Sequence, residues 1–453
     1  MFWAFFCAKK RIILHICKNC SIFANFYALI CRYTIIIYNS IIMRTMVRNM
    51  MQDTIWVMVL QGLNYLIPLF VWPYLMTVLG SEGFGKIGFS LQLMQFMMLM
   101  TDFGFNLSAT KQIATAGTRE AIDRIATDTL CAKLLLFAFC TVMTVLLLLL
   151  PQYTPYRPIV WVMFPMLLGN LFSFQWLFQG LGKIRQVSII TGICRLLILP
   201  ITFWLVKSQE DVLRAGMILA STYVLSGMAM SVWVVKGSVF RFVPTSCRRV
   251  KNALCRSLPL FVSTATSSIY AVLFVVILGY FVSPSEVGCY SAVEKIMRVS
   301  CYLFLLPVLQ VFYPSVSRMN SVNPGEARRL VRMVLAGMTV MMAGIGAVLF
   351  FGGDYVISLL GKDYAGSTRL FHIMAFIPVM IAMSGVCGQL GLVAMGGERQ
   401  QRQFRNVYVA GAVVSLVSVV ALSPILNAQW AALCLLMAEG IVGAGMYFYY
   451  RRI

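Results

Sequence analysis

Apolar segments of roughly 20 residues, separated by short polar breaks, recur along this chain, and that is the length an α-helix needs to cross a ~30 Å hydrocarbon core. Backbone polar groups cannot stay unpaired in lipid, and uninterrupted apolar segments do not resemble the alternating strands of a membrane β-barrel. With 60% hydrophobic and 11% charged residues, the chain is far more apolar than a soluble domain. The sequence therefore predicts an all-α, polytopic membrane protein.

Twelve of these segments are predicted to span the membrane. Their ranges are 54–79, 84–105, 128–150, 157–179, 186–206, 211–235, 257–282, 286–314, 331–352, 366–393, 404–425 and 428–450. Placing residue 50 in the cytoplasm leaves twenty Lys and Arg residues in the inner loops and six in the outer loops. Since cytoplasmic loops carry the excess of positive charge, both termini are predicted to be cytoplasmic.

The longest break between spans, residues 236–256, is also the most basic, and it divides the spans into two groups of six. We therefore predict an N-lobe (46–235), a basic cytoplasmic linker (236–256) and a C-lobe (257–453). The turns at 79–85 and 282–288 occupy corresponding places in the two lobes, an internal repeat of the kind that builds many transporters. Residues 1–45 contain no Val, Gly, Pro, Asp or Glu, which indicates an extension upstream of the true start.

Several functional classes are disfavoured by what the sequence lacks. The net charge of +22 does not indicate nucleic-acid binding, because the cations lie in separate loops and form no single patch. Gly80, Gly85 and Lys86 approach a phosphate-binding loop, but Ile87 occupies the position of its magnesium-binding hydroxyl residue. Most of the thirteen Cys residues are single residues in apolar segments, so we expect neither a metal site nor a disulfide framework. No cofactor and no catalytic residue are predicted.

Charged residues inside the predicted spans are the strongest indication of function. Each costs about 2.5 to 3.5 kcal/mol at the bilayer centre unless it faces protein or water. Glu294 and Arg298 lie four residues apart on one helical face with Tyr290, so they can form an ion pair and leave Lys295 as an unmatched cation. Arg195 lies deep in the fifth span. Together these residues predict a net-positive polar interior.

Three other charged positions have structural interpretations. Lys133 lies near a span end, and we expect its ammonium group to snorkel to the membrane surface. Asp102, near the inner end of the second span, and Glu439, in the twelfth, are coupling or structural charges.

Residues 106–129 mix apolar and charged side chains at near-helical spacing, which predicts a segment along the inner membrane surface.

Short stretches from residue 50 onward occur in the order and spacing of one transporter family. They are Gly62-Leu63-Asn64-Tyr65, Leu79-Gly80 with Gly83-Phe84-Gly85, Thr101-Asp102-Phe103-Gly104-Phe105-Asn106-Leu107-Ser108-Ala109-Thr110, Trp176-Leu177-Phe178-Gln179-Gly180, Tyr290 with Glu294-Lys295-Ile296, and Ala394-Met395-Gly396. Taken together, they resemble the O-antigen flippase (Wzx) family of polysaccharide transporters. That family belongs to the MOP superfamily, which also contains MATE drug exporters and lipid II flippases.

The resemblance implies a bacterial inner-membrane protein of two six-helix lobes. Such a protein moves an undecaprenyl-pyrophosphate-linked oligosaccharide from the cytoplasmic to the periplasmic leaflet by alternating access. Because the pyrophosphate is anionic, we expect Arg195, Lys295 and Arg298 to bind it. Further cavity candidates and charges are Asn64, Trp176, Gln179, Tyr290, Lys133, Asp102, Glu294 and Glu439. The resemblance implies two kinds of partner: membrane lipids and a polysaccharide polymerase with its chain-length machinery. It also implies an H⁺ or Na⁺ gradient as the energy source.

Two alternatives stay open. A MATE-like multidrug or cation antiporter would need an acidic cavity, which the embedded cations disfavour. A membrane polysaccharide polymerase or ligase would display a larger outer loop than any in this sequence. Gly182 stands where many members of the resembled family carry an acidic residue, so ion coupling through that position is also open.

Overall fold

The computed structural model describes residue 67 and residues 70–422 and 425–452, and every regular element within these residues is helical. Residues 1–45 and Asn64 lie outside the described residues. Helical residues 70–102 form α1, whose two arms meet at Gly80, where φ is 68°. The remaining α-helices are α2 (Phe105–Ala114), α3 (Arg119–Leu149), α4 (Arg157–Met163), α5 (Pro165–Leu171), α6 (Gln175–Gly180), α7 (Ile184–Leu205), α8 (Val212–Lys236), α9 (Cys247–Phe281), α10 (Pro284–Val322), α11 (Pro324–Leu360), α12 (Thr368–Met374), α13 (Ile377–Gly385), α14 (Glu398–Ala421) and α15 (Ala428–Tyr450).

Membrane-crossing helices dominate the described part of the chain. Seven of its helices are long and apolar enough to cross a membrane, or nine if each of two bent helix pairs counts as one span. Several are longer than a bilayer requires: α10 has 39 residues and α11 has 37, whereas about 20 suffice to cross the hydrocarbon core. Their ends therefore extend beyond the segments that hydropathy marks.

The connection between the two groups of spans is shorter than the sequence suggests. Helix α9 begins at Cys247, so residues 247–256 of the predicted linker are its first turns. The basic side chains Arg248, Arg249, Lys251 and Arg256 consequently lie on a helix. Only residues 237–246 connect α8 to α9, and we call the parts on either side of them the first half (70–236) and the second half (247–452).

The two bent spans are built alike. In the first half, a six-residue 3-10 helix (Pro151–Tyr156) precedes α4, and the chain bends by 42° before α5. In the second half, a six-residue 3-10 helix (Lys362–Ser367) precedes α12, and the chain bends by 44° before α13. Proline stands in the first turn after each bend, where its missing N–H leaves no helical hydrogen bond unmade. This correspondence extends the internal repeat that the two turns suggest.

Residues 106–129, which the sequence predicts to lie along the inner membrane surface, fall in α2, a short connection and the first turns of α3. Phe103 and Gly104 have φ values of 41° and 75°, in the left-handed region, and they break the helical chain between α1 and α2. Helix α2 then buries Phe105 and Ile113 in a core shared with Trp176, and residues 119–129 form the first turns of α3. The apolar residues of this segment pack against protein, which is why their helical spacing resembles that of an interfacial helix.

Candidate functional site

The two halves meet closely at the end of the bundle that carries the turns at 79–85 and 282–288, here called the turn end. A Cβ atom added at Gly85 would overlap the carbonyl oxygen of Pro284, and one added at Gly288 would overlap the carbonyl oxygen of Ser81. The hydroxyl oxygens of Ser81 and Ser285 are 2.6 Å apart. Only glycine allows backbones to approach this closely, so these glycines permit the crossing.

Further hydrogen bonds join the halves at the turn end. The hydroxyl of Tyr364 donates to the carbonyl oxygen of Met76 at 3.3 Å, and that of Tyr153 donates to the carbonyl oxygen of Val276 at 3.2 Å. The Gln209 side-chain amide donates to the Asp363 carboxylate at 3.3 Å. These contacts close the turn end in the described structure. A transporter that opens there must break them.

A buried charge cluster lies between α10 and α15. The Arg298 guanidinium donates to Glu294 at 2.8 Å, the pair that their spacing predicts, and its second nitrogen lies 3.5 Å from Glu439. The same guanidinium donates to the Tyr302 hydroxyl at 3.4 Å. The side chains of Glu294 and Glu439 are only 4% and 2% exposed. Arg298 therefore shares its charge with the carboxylate that its spacing predicts and with a second one, Glu439, on another helix.

Lys295, the next residue after Glu294, points elsewhere. Its ammonium nitrogen lies 4.9 Å from the centroid of the Trp72 ring, a cation–π contact between α10 and α1. It forms no hydrogen bond or ion pair with the described part of the chain. The aromatic ring contacts the ammonium group but carries no negative charge to neutralise it.

Asp102 is the centre of a second polar cluster, in the first half. It accepts hydrogen bonds from Lys133 at 2.9 Å, from Asn170 at 3.1 Å and from Asn106 at 3.3 Å. The Lys133 side chain is completely buried, so the expectation that it snorkels is wrong. Asp102 lies within its reach on a neighbouring helix, so a fixed ion pair replaces the contact with water. Asn170 escaped the sequence reasoning, and Asn106 entered it only as a member of a quoted stretch, because an uncharged amide gives no hydropathy signal comparable to that of a charge.

Arg195 lies near the middle of α7 and is half-buried. It forms no ion pair and no hydrogen bond with the residues that the structure describes. Arg195 and Lys295 are thus the two embedded cations of the predicted site that lack a carboxylate partner within those residues. A guanidinium presents a planar fork suited to phosphate oxygens, and an ammonium group acts as a point charge.

The other expected cavity residues are placed differently from one another. Trp176 is fully buried in the core between α2 and α6, and the Thr110 hydroxyl donates to its carbonyl oxygen at 3.0 Å. Gln179 is exposed. Tyr290 is fully buried one turn before Glu294, and its hydroxyl lacks a hydrogen-bond partner within the described residues. The described residues contain no group of three His, Cys, Asp or Glu side chains that could hold a metal ion.

Known solved structures share this architecture. An inward-facing MATE multidrug resistance transporter of the MOP superfamily aligns with a TM-score of 0.67 at 12% identity, covering 86% of this chain and 93% of the other. The lipid II flippase MurJ, in an inward closed conformation, aligns with a TM-score of 0.67 at 10% identity, covering 88% and 87%. The two TM-scores show a shared fold, and at such low identities the similarity supports the fold alone.

Sequence relatives give a narrower assignment. A candidate O-antigen transporter of Escherichia coli (strain K12) is 29% identical over 413 residues, which cover 90% of this chain and 98% of the relative. A candidate O-antigen transporter of Shigella dysenteriae is 28% identical, covering 81% and 91%. Residues 50–320 match the profile of a family described as polysaccharide biosynthesis protein. Because that match spans more than half of the sequence, this multi-pass membrane protein belongs to the polysaccharide biosynthesis protein family, with the fold of MOP-superfamily transporters.

Proposed function

We propose that this protein is a flippase that moves undecaprenyl-pyrophosphate-linked polysaccharide repeat units from the cytoplasmic to the periplasmic leaflet of a bacterial inner membrane. The observation that carries the proposal is Lys295, an embedded ammonium group held against Trp72 without a carboxylate partner in the described residues. A charge embedded in the membrane costs free energy unless a partner or water compensates it. A pyrophosphate oxygen is a ligand that would neutralise the Lys295 ammonium group. The names of the relatives favour a lipid-linked glycan as the molecule that bears this pyrophosphate.

Arg195 is the second cation that we assign to the pyrophosphate. Its guanidinium has no partner among the described residues and lies midway along a membrane-crossing helix. We assign Arg298 a different role, because Glu294 and Glu439 already compensate its charge. In the proposed mechanism, Lys295 and Arg195 attract the headgroup while the prenyl chain stays in lipid.

Alternating access is the proposed route of transport. The contacts at Gly85, Gly288 and the Ser81–Ser285 pair close the turn end in this structure, which we assign to the periplasmic side. This assignment rests on a proposed topology of twelve spans with both termini in the cytoplasm, which the distribution of Lys and Arg favours. Opening of the turn end would release the headgroup outward, and an H⁺ or Na⁺ gradient is the proposed energy source. A polymerase with its chain-length machinery is the proposed downstream partner.

The proposal is tested by deleting the gene in its host and measuring lipid-linked sugars and surface polysaccharide. We expect complete lipid-linked repeat units to accumulate while the surface glycan disappears. A plasmid that begins at Met46 should reverse both effects, because residues 1–45 are expected to be dispensable. Unchanged surface glycan in a strain without a redundant flippase would refute the proposal and direct attention to drug export.

The role of Lys295 is tested in the same strain. We expect Lys295→Gln to lower surface glycan at least tenfold at a normal protein level, whereas Lys295→Arg, which keeps the charge, retains a large part of it. Lys207→Gln is the matched control, since this exposed lysine lies in a loop outside α7 and α8. Full export by the Lys295→Gln variant would remove this residue from the site without affecting the assignment of the whole protein.

A further inference from the structure

A basic groove lies between α2, α3 and α9, at the end of the bundle opposite the turn end. Its volume is about 250 Å³, and the charged and amide side chains that line it are Gln112, Arg124, Asp128, Arg249, Asn252 and Arg256. Three guanidinium groups and one carboxylate give the groove a net charge of +2. Nothing in the proposed transport mechanism uses these residues.

The free charge of the groove comes from Arg124 and Arg256. Asp128 accepts a hydrogen bond from the Thr245 hydroxyl and lies 3.7 Å from Arg249, so these two charges largely compensate each other. Arg256 forms no hydrogen bond or ion pair with the described residues, and Arg124 has only a distant contact, 4.0 Å, with the exposed Glu120. The two remaining guanidinium groups can therefore bind an anion without losing an internal partner.

The surroundings of the groove indicate what kind of anion it fits. Along α3, the face that carries Arg124 and Asp128 continues at helical spacing into the exposed apolar side chains Leu135, Phe139 and Val142. The apolar stripe therefore begins two turns from the groove, on a helix that crosses the membrane. A ligand with an anionic head and apolar chains would satisfy both features at once. The groove itself is smaller than the ~300–1,000 Å³ of typical ligand pockets, so it admits a headgroup and not the chains.

We propose that this groove binds the phosphate headgroup of an anionic membrane phospholipid, with the acyl chains lying along the exposed face of α3. Basic pockets between membrane-crossing helices at the level of the headgroups bind anionic lipids in this way. The Arg124 and Arg256 guanidinium groups contact the phosphate, and the Asn252 amide supplies a further donor. The site is independent of the flippase activity, because neither Lys295 nor Arg195 contributes to it.

The test uses the full-length protein in non-ionic detergent, titrated with phosphatidylglycerol and followed by native mass spectrometry. We expect the Arg124→Gln/Arg256→Gln variant to bind phosphatidylglycerol about thirtyfold more weakly, because each cation contributes about 1 kcal/mol to anionic-lipid binding. Neutral phosphatidylcholine should bind the wild type and this variant equally. Neither replacement removes a buried contact, so both proteins should elute and unfold alike.

The matched control is Arg248→Gln/Lys251→Gln. It removes the same charge from the first turns of α9, from two exposed residues that do not line the groove. We expect less than a threefold change in phosphatidylglycerol binding. Equal weakening of both double variants would show a diffuse basic surface and overturn the proposal.

Two further probes distinguish other anions from the lipid. Inorganic phosphate that displaces phosphatidylglycerol at equal concentration would identify a site for free anions and would overturn the proposal. A polyglutamate peptide that binds where phosphatidylglycerol does not would identify a protein-docking surface and would overturn it as well. Selective binding of phosphatidylglycerol, lost only in the groove variant, would establish the lipid site.

Discussion

At the scale of single residues, the Asp102 cluster shows how this protein keeps a charge inside the bilayer. Lys133 is completely buried, whereas Asp102 is 23% exposed and accepts two amide hydrogen bonds besides the ion pair. Burial of the Lys133 charge therefore depends on Asp102 more than burial of the Asp102 charge depends on Lys133. Within the described part of the chain, Lys133 loses its ion-pair partner if Asp102 is removed, whereas Asp102 keeps the hydrogen bonds from two asparagines if Lys133 is removed.

This inequality predicts an ordered series of stabilities. Asp102→Asn leaves a buried ammonium group without its counter-charge, and we expect it to cost about 3 kcal/mol or more. Lys133→Met should cost clearly less. The double variant should be more stable than Asp102→Asn alone, because no uncompensated charge remains. Thermal unfolding in detergent, followed by size-exclusion chromatography, measures the series, and a Lys133→Met variant as unstable as Asp102→Asn would contradict it.

The Arg298 cluster predicts a different pattern, because one cation faces two carboxylates. Glu294→Gln and Glu439→Gln each leave Arg298 with one counter-charge, so each single loss should be modest. Glu294→Gln should be the costlier of the two, since its contact is 2.8 Å and that of Glu439 is 3.5 Å. The double variant removes both of these counter-charges and should lose more stability than the two single variants combined. Strictly additive losses in the same unfolding assay would show that the two carboxylates act independently.

At the scale of elements, the crossing of α1 and α10 depends on two glycines. An added Cβ at Gly85 would meet backbone atoms of α10, which cannot move aside as a flexible side chain can. We expect Gly85→Ala to separate the helices and lower at least fivefold the rate at which cysteines introduced at Ser81 and Ser285 cross-link. Gly337→Ala in α11 is the matched control, because nothing lies within 4 Å of its added Cβ. An unchanged cross-linking rate in the Gly85→Ala variant would mean that the crossing tolerates a side chain.

The elements also show what the sequence could and could not predict. The helical fold class was predictable, because the thickness of the bilayer dictates the length of apolar segments. The Glu294–Arg298 pair was predictable as well, since i, i+4 spacing on one helix brings the side chains together. The partners of Lys133 and Arg298 on other helices were not, because Asp102 is 31 residues from Lys133 and Glu439 is 141 residues from Arg298. The ends of α9 and α10 escaped prediction because hydropathy carries no signal once a helix leaves the lipid.

At the scale of the whole molecule, the proposed transport cycle requires the turn end to open. The contacts between the halves there include a glycine crossing, single hydrogen bonds and the edge contact between the Tyr153 and Tyr280 rings, with no ion pair between the halves at that end in the described residues. Such contacts can break and re-form at low energetic cost. Fixing them covalently should therefore stop transport without unfolding the protein, which makes the closed turn end a direct test of alternating access.

The Ser81→Cys/Ser285→Cys variant makes that test, because the hydroxyl oxygens are 2.6 Å apart, near the ~2.0 Å that separates the sulfur atoms of a disulfide. We expect the oxidised variant to insert normally and to lose surface glycan, since a headgroup cannot leave through an end that is held shut. A membrane-permeant reductant should restore export, and each single cysteine variant should export normally under both conditions. Export that continues while nearly all of the protein is cross-linked would show that the headgroup does not leave through the turn end. The repeat unit would then have to cross by a route that leaves Gly85 and Gly288 in contact with their partners throughout.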